Sequence, residues 1–174
     1  MSRALKGVGG INMKDGVVQV YYGTGSGKTT AAIGQCIKAA GIGAQVIMIQ
    51  FLKGKDTNEY QFMERLEPEI KMFRFEKESE SYLELTKEQQ KDEKANILNG
   101  FHFAKKVLET RGCDLLLLDE ILGLVDLNII AAGELIELIE AKAEDCSLIL
   151  TGRKFSKELE KYADIISEIC NKKG

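Results

Sequence analysis

The sequence contains no Trp, one Pro and one His among its 174 residues. The single proline, Pro68, leaves few positions at which regular structure must be interrupted. His102 stands between two phenylalanines, and the sequence suggests no Ser or Cys partner for it, so a catalytic triad is not indicated. We therefore expect regular structure over most of the chain and chemistry that does not depend on an activated Ser or Cys.

Paired cysteines, long apolar runs and an excess of positive charge are also missing. The cysteines Cys36, Cys113, Cys146 and Cys170 form no C-x-x-C pair and lie among apolar residues, which indicates buried thiols in a reducing, cytoplasmic setting. No segment approaches the ~20 apolar residues of a membrane span or contains the apolar stretch of a signal peptide. The net charge of -3 provides no basic field for duplex nucleic acid. We expect neither a membrane nor a nucleic-acid partner.

What the chain does contain is an alternation of short apolar runs with helical patterns. The runs predict strands at 17–22, 46–51, 70–75, 115–118, 147–150 and 165–169, and the patterns predict helices at 28–40, 58–66, 86–109, 133–143 and 157–162. Because a parallel crossover needs a helix-length connection, we predict an α/β fold. Its central sheet is mostly parallel, has about six strands and carries helices on both faces. The charge-dense stretch at 76–94 is interpreted as a solvated helix face and loop.

A glycine-rich segment joins the first predicted strand to the first predicted helix. Its residues are Gly23, Thr24, Gly25, Ser26, Gly27, Lys28, Thr29 and Thr30. Glycines let backbone N–H groups turn toward one centre, Lys28 adds a positive charge, and the Thr29 hydroxyl can bind Mg²⁺. The spacing predicts a phosphate loop, so we divide the chain into a flexible segment at 1–16 and one P-loop nucleotide-binding domain at 17–174. Only three residues separate Gly23 from Gly27, one fewer than in the common pattern, so the triphosphate need not lie as in an ordinary NTPase.

Two acids, Asp119 and Glu120, follow the leucine run at 115–118. The carboxyl ends of parallel strands are where ligands bind in α/β sheets. One carboxylate can hold Mg²⁺ beside Thr29, directly or through water, while the other orders the loop or serves as a base.

Two cations follow other predicted strands. Arg153 comes directly after the strand at 147–150 and can contact phosphate or hold a polar group of a substrate. Lys53 lies just past the strand at 46–51. The alternative for Arg153 is an exposed residue that caps a turn, and for Lys53 a solvated loop residue, so both are candidates for binding.

Taken together, these segments resemble the P-loop family of ATP:corrinoid adenosyltransferases, over about residues 17–169. The segments are GTGSGKTT at 23–30, QFLKG at 50–54, LDEI at 118–121, TGR at 151–153 and EKYADIISEI at 160–169. In that family the phosphate loop is also one residue short, and ATP binds in the reverse orientation. The resemblance implies a RecA-like sheet, a homodimer, and attack of a reduced Co(I) corrinoid on C5′ of ATP with release of triphosphate.

The resemblance also implies roles and partners. Lys28 and Glu120 are the expected catalytic residues, with Thr29 and Glu120 at Mg²⁺. Residues 23–30 together with Lys53, Asp119 and Arg153 are expected to bind ATP. The corrinoid supplies the nucleophile, so the protein needs none. A flavoprotein or another reductant is expected to reduce the corrinoid to Co(I).

Two other functions stay open from the sequence. One is a RecA-like ATP hydrolase or small-molecule kinase, with Glu120 as the base for a water or hydroxyl group. The other is a nucleotide-binding relative that has lost corrinoid chemistry. The chain has no counterpart of the Trp-containing segment that seats the corrinoid in many members, and only Phe73 and Phe75 lie nearby. It also lacks the Lys-His tail with which members generally continue.

Overall fold

The computed structural model describes residues 16–53 and 62–173, and its centre is a six-stranded parallel sheet. The strands are β1 Val18–Tyr22, β2 Val46–Gln50, β3 Ile70–Arg74, β4 Leu115–Asp119, β5 Ser147–Gly152 and β6 Ile165–Glu168. They lie in the order β3-β2-β4-β5-β1-β6, and each neighbouring pair is parallel. The predicted α/β sheet is confirmed. Apart from Gly16, the N-terminal segment predicted to be flexible lies outside the described residues.

Helices cover both faces of the sheet, as predicted. Those of the described residues are α1 Lys28–Gly41, α2 Lys87–Glu109, α3 Ile121–Asp126, α4 Ala132–Glu140 and α5 Lys157–Glu160, with short 3₁₀ turns at Glu64–Leu66 and Tyr82–Glu84. Helix α1 packs on one face through Ala32, Cys36 and Ala39. Helices α2 to α5 pack on the opposite face. Strands buried on both sides explain why the leucine run of β4 shows no polar alternation.

Helix α2 shows how local sequence sets an element. Thr86 caps its start, where the Thr86 hydroxyl accepts from the Gln89 N–H at 3.3 Å. The Gln89 side-chain oxygen accepts in turn from the Thr86 N–H at 3.0 Å, which completes a capping box. Ile97, Phe101 and Ala104 then recur at helical spacing and are buried. The cap and the period together place this helix where the sequence predicts it.

The structure corrects two sequence predictions and covers a third only in part. Helix α3 was not predicted, because its ILGLVD segment is short and has no polar face to reveal a helical period. Of the helix predicted at 58–66, the described residues are helical at 62–63 and form a 3₁₀ turn at Glu64–Leu66, and the remainder lies outside the described residues. The expectation of four buried thiols is wrong for Cys170, which is exposed because it lies just past the edge strand β6.

The remaining cysteines are buried, and all four are free thiols. Within 16–53 and 62–173, no helix combines the length and the apolar character that a membrane crossing requires.

Candidate functional site

A row of polar side chains crosses four neighbouring strands at the carboxyl end of the sheet. The strand register aligns Arg74 of β3, Gln50 of β2 and Asp119 of β4, and Thr151 of β5 follows in line with Asp119. In each strand the residue two positions earlier belongs to the core beneath α1. Since side chains alternate between the two faces of a sheet, the whole row lies on the face that α1 covers.

Asp119 is the centre of this row and is fully buried. Its Oδ1 accepts from the Thr29 hydroxyl at 2.9 Å and from the Thr151 hydroxyl at 2.7 Å. Its Oδ2 accepts from Gln50 Nε2 at 2.7 Å and from Lys53 Nζ at 3.1 Å. Four donors, one of them charged, replace the water that the carboxylate loses on burial. We call these five residues the Asp119 cluster.

The cluster extends to both sides. Arg74 Nη2 donates to Gln50 Oε1, so the Gln50 amide is oriented with its nitrogen toward Asp119. On the other side, the Thr151 hydroxyl accepts from the Glu120 N–H at 2.8 Å. Sequence reasoning did not assign Gln50, Arg74 or Thr151 to the site. In the sequence, each of these residues is recognisable only as a polar residue at or beside the end of an apolar strand. The order of the strands in the sheet brings these ends together, and the sequence does not show that order.

The glycine-rich segment connects β1 to α1 as predicted. Gly27 has φ 98° and precedes the first turn of α1, a left-handed conformation that favours glycine. Lys28 Nζ donates to the Gly25 carbonyl at 2.8 Å, so the ammonium group lies within the loop. The first N–H groups of a helix have no intrahelical acceptor and carry a partial positive charge. Loop, lysine and helix end together form an anion site.

The outer side of the loop contacts the chain that follows β6. The Gly25 N–H donates to the Ile169 carbonyl at 2.9 Å. A Cβ at Gly25 would lie 2.8 Å from that oxygen and from the Cα of Cys170, so only glycine fits there. The Gly25 amide is therefore committed to this contact, and the Gly23 N–H likewise donates to the Arg153 carbonyl at 3.2 Å.

Glu120 lies beside the cluster in a left-handed backbone conformation with φ 60°. Burial raises the pKa of the Glu120 carboxyl and the charge of Asp119 raises it further, while Lys28, Lys53 and Arg153 act in the opposite direction. Among the described residues, none donates a hydrogen bond to its carboxylate. The structure thus brings the predicted cations and acids to one edge of the sheet, where the Glu120 oxygens accept no hydrogen bond from residues 16–53 and 62–173.

The carboxylate that contacts Thr29 is Asp119, through the 2.9 Å hydrogen bond. Arg153 and the loop residues Thr24, Ser26 and Thr30 are exposed at the same edge. Their predicted role is to bind ATP, and no contact among the described residues tests that prediction.

The interpretation of the 76–94 stretch as a solvated face is wrong for two of its acids. Glu93 is 3% exposed, and its Oε1 accepts from the N–H groups of Lys77 and Glu78 at 2.8 and 3.0 Å. Glu76 Oε1 accepts from the Leu52 N–H at 2.8 Å. We call Glu76 and Glu93 the acidic bracket, because both hold backbone next to the site. Glu93 is buried and Glu76 is partly buried, which a run of charged letters does not show.

A glycine-rich loop that leads into a helix, with a lysine in the loop and a hydroxyl bound to a carboxylate from another strand, defines a P-loop nucleotide-binding protein. Strand β5 lies between the loop strand β1 and the acidic strand β4, which is the arrangement of the RecA-like class. Within that class, residues 14–174 match the model of the family described as ATP:corrinoid adenosyltransferase BtuR/CobO/CobP. The chain belongs to this family, and the predicted resemblance is confirmed.

Curated relatives agree with this assignment. The corrinoid adenosyltransferase of Escherichia coli (strain K12) is 29% identical over 154 residues, which cover 88% of this chain and 76% of that protein. The corrinoid adenosyltransferase CobA of Salmonella typhimurium is 30% identical with the same coverage. The corrinoid adenosyltransferase of Pseudomonas aeruginosa is 26% identical over 88% of this chain and 74% of that protein.

Among solved structures, one described as a DNA replication initiation factor covers 89% of this chain, with 17% identity and a TM-score of 0.43. It matches 40% of that chain. This likeness is too distant to carry an argument.

Proposed function

We propose that this protein transfers the 5′-deoxyadenosyl group of ATP to the Co(I) of a reduced corrinoid and releases triphosphate. The observation that carries the proposal is the meeting of Lys28, Thr29 and the Asp119 cluster at one anion site, in a chain of this family. In this transfer the cobalt electron pair forms the bond to C5′, and the bond from C5′ to the triphosphate oxygen breaks.

The task of the protein in such a reaction is to stabilise charge on the leaving group. Triphosphate gains negative charge as the C5′–O bond breaks, and preorganised donors lower the energy of that state. Lys28, Lys53 and the N-terminus of α1 supply positive charge at this site. The side chains need not include a nucleophile, because the corrinoid provides it.

Mg²⁺ fits the donors at this edge. The Thr29 hydroxyl and the Glu120 carboxylate are hard oxygen ligands of the kind that Mg²⁺ prefers, and Glu120 is free of hydrogen bonds from the described residues. Asp119 already accepts four hydrogen bonds, which suits it to orient Thr29 rather than to bind the ion itself. Within the described residues no group of three or more His, Cys, Asp or Glu side chains forms a metal site. We propose Thr29 and Glu120 as the protein ligands, and bound Mg²⁺ would neutralise phosphate charge.

The short loop supports the reversed orientation of ATP that the resemblance implies. The Gly25 amide is bound to Ile169, so the loop offers fewer amides than its sequence suggests. Lys53 and Arg153 then become candidates for the remaining phosphate contacts, at the edge where Asp119 and Glu120 also lie. A reversed triphosphate would present C5′ rather than the terminal phosphate toward the acceptor.

The corrinoid half of the site rests on the family assignment. Phe73 and Phe75 lie in the segment that the resemblance relates to the corrinoid, and both rings pack on Phe103 at 4.9 and 5.5 Å. Phe75 also closes against Gly100, where a Cβ would lie 2.9 Å from its ring. These rings are therefore part of the core beneath the site rather than a free surface for the corrinoid.

We further propose a homodimer that acts in the cytoplasm on a corrinoid whose cobalt a separate reductant, such as a flavoprotein, has reduced to Co(I). Four free cysteines agree with a reducing compartment. The net charge of -3 gives no reason to expect a nucleic acid in the reaction.

The test is single-turnover adenosylation under anaerobic conditions. Protein, ATP, Mg²⁺ and a chemically reduced corrinoid are mixed, and the light-sensitive Co–C bond is followed by absorbance. We expect one Co–C bond per site. We expect none when ATP is replaced by AMP, which lacks the β- and γ-phosphates. ATP binding without any Co–C bond would instead indicate a nucleotide-binding relative that has lost the chemistry.

A further inference from the structure

Leu52, the second residue after β2, has φ 57°, which is left-handed backbone. For a residue with a branched side chain this conformation is strained, and it persists only where surrounding contacts impose it. Leu52 immediately precedes Lys53. Its backbone conformation therefore sets the direction in which Lys53 leaves the sheet.

Two contacts hold Leu52 in this conformation. Its N–H donates to Glu76 Oε1 at 2.8 Å. Its side chain fills the space beside Gly123 of α3, where an added Cβ would lie 2.6 Å from Leu52 Cδ1. Glu76 thus holds the backbone and Gly123 makes room for the side chain.

Glu76 is itself fixed in place. Its Oε2 accepts from the Phe75 N–H at 3.3 Å, and the two following N–H groups, of Lys77 and Glu78, are bound to the buried Glu93 of α2. The acidic bracket therefore connects a long helix of the scaffold to the turn at Leu52. Side chains locked by such contacts can hold a neighbouring group in a productive geometry.

Beyond the turn, Lys53 reaches the nucleotide site. Its Nζ lies 3.1 Å from Thr29 Oγ1 and 3.1 Å from Asp119 Oδ2. The Lys53 side chain is 26% exposed, whereas Asp119 is fully buried. A change in the path of Leu52 would move the ammonium group away from both partners, because no other residue separates the turn from Lys53.

We propose that Glu76 is a positioning residue of the nucleotide site, which imposes the Leu52 turn and thereby places the Lys53 ammonium against Thr29 and Asp119. Glu76 acts through Lys53 and contacts no substrate. The inference rests on the proposed function only in taking Lys53 as a contact of ATP.

The first test is a double-mutant cycle between Glu76 and Lys53. ATP affinity by calorimetry and adenosylation rate are measured for Glu76→Ala, Lys53→Ala and the double variant. A misplaced group at an active site lowers rates by about 10–100-fold, and we expect each single variant to lose at least tenfold. The double variant should be no worse than Lys53→Ala, because both changes remove the same interaction.

Two further variants separate positioning from general damage. Glu76→Gln keeps an oxygen that accepts from Leu52, so it should recover most of the affinity. Glu80→Ala removes an exposed acid of the same segment and should retain the wild-type affinity. Losses that multiply in the double variant, or a Glu76→Ala variant that matches Glu80→Ala, would overturn the proposal.

The second test does not use activity. Glycine adopts positive φ without strain, so a Leu52→Gly background no longer needs Glu76 to impose the turn. Removing Glu76 from the wild type also releases the strain at Leu52, whereas the glycine background has no strain to release. We therefore expect Glu76→Ala to lower the unfolding midpoint more in that background than in the wild type. Equal losses in both backgrounds would show that Glu76 does not hold the turn. If the wild type binds ATP but forms no Co–C bond, the proposed function fails, whereas the affinity cycle and the unfolding cycle still decide the role of Glu76.

Discussion

The Asp119 cluster and the acidic bracket are both built on carboxylates near one edge of the sheet, buried for Asp119 and Glu93 and partly buried for Glu76, but they differ in what the oxygens hold. Asp119 accepts hydrogen bonds from four side chains, including Thr29 and Lys53. Glu76 and Glu93 accept mainly from backbone N–H groups. A carboxylate bound to functional side chains affects their chemistry directly, whereas one bound to backbone fixes the path of the chain. The first kind is expected to control turnover and the second to control position and stability.

The largest expected effect lies on the phosphate side of the Asp119 cluster. Lys28→Ala removes the loop ammonium, and loss of one preorganised donor to developing charge lowers turnover by about 10²–10³-fold. The fold should survive, because Lys28 is held there for its charge and not for packing. Adenosylation rate and thermal unfolding measure both expectations. Unchanged turnover in a folded variant would contradict the assigned role.

A matched pair of amide substitutions compares the two regions directly. Asp119→Asn turns one acceptor into a donor that faces other donors, which costs about 2–4 kcal/mol of stability and should lower turnover strongly. Glu93→Gln keeps an oxygen for its two N–H partners. We expect turnover per folded molecule to stay within about threefold, which is less than 1 kcal/mol.

Rates normalised to the folded fraction, taken from urea titrations, give the comparison. Equal losses of turnover in the two variants would erase the distinction between the regions.

A smaller effect is expected at the side of the cluster. Gln50→Leu breaks the path from Arg74 through Gln50 to Asp119 while keeping a similar volume. Asp119 then retains three donors, so we expect a loss of about tenfold in turnover, equivalent to about 1.4 kcal/mol. The affinity for ATP and for Mg²⁺ should be measured beside the rate. A wild-type rate in this variant would show that Gln50 is only a packing residue.

The smallest effect concerns pH and the acidic bracket. Burial raises the pKa of the Glu76 carboxyl, opposed by its bonds from Leu52 and Phe75 and reinforced by the charge of Glu93. The folded state therefore binds this proton more tightly than the unfolded state, and the resulting stability is lost as pH rises through the folded pKa. The unfolding midpoint of the wild type, minus that of Glu76→Gln, should increase as pH falls from 7 toward the ordinary carboxyl range near ~4.3.

Thermal unfolding of both proteins across that pH range is the measurement. A difference that stays constant with pH would show that the Glu76 carboxyl does not titrate with a raised pKa in the folded state.

The two regions also differ in how far the sequence predicts them. Lys28 and Thr29 are predictable because strand, glycine-rich turn and helix are contiguous in the chain. Asp119 is predictable as an acid at the end of an apolar strand. Gln50 and Thr151 join it only because β2 and β5 flank β4, and the sequence does not show this strand order.

The acidic bracket was missed for another reason. Glu76 and Glu93 lie in a run of charged residues, and such a run looks the same whether its members are solvated or buried. What distinguishes Glu76 is the hydrogen bond that it accepts from the backbone N–H of Leu52, which lies in the segment after β2. Long-range backbone contacts of this kind have no local sequence pattern, so position-fixing residues are harder to predict than the phosphate loop.

The most direct test of the central claim is the identity of the anion released per Co–C bond. Phosphorus NMR of a completed single turnover with ATP, Mg²⁺ and reduced corrinoid should show one equivalent of inorganic triphosphate for each bond formed. Without corrinoid, ATP should remain intact. Release of orthophosphate in place of triphosphate, with or without corrinoid, would contradict the account and assign the site to an ATP hydrolase or kinase.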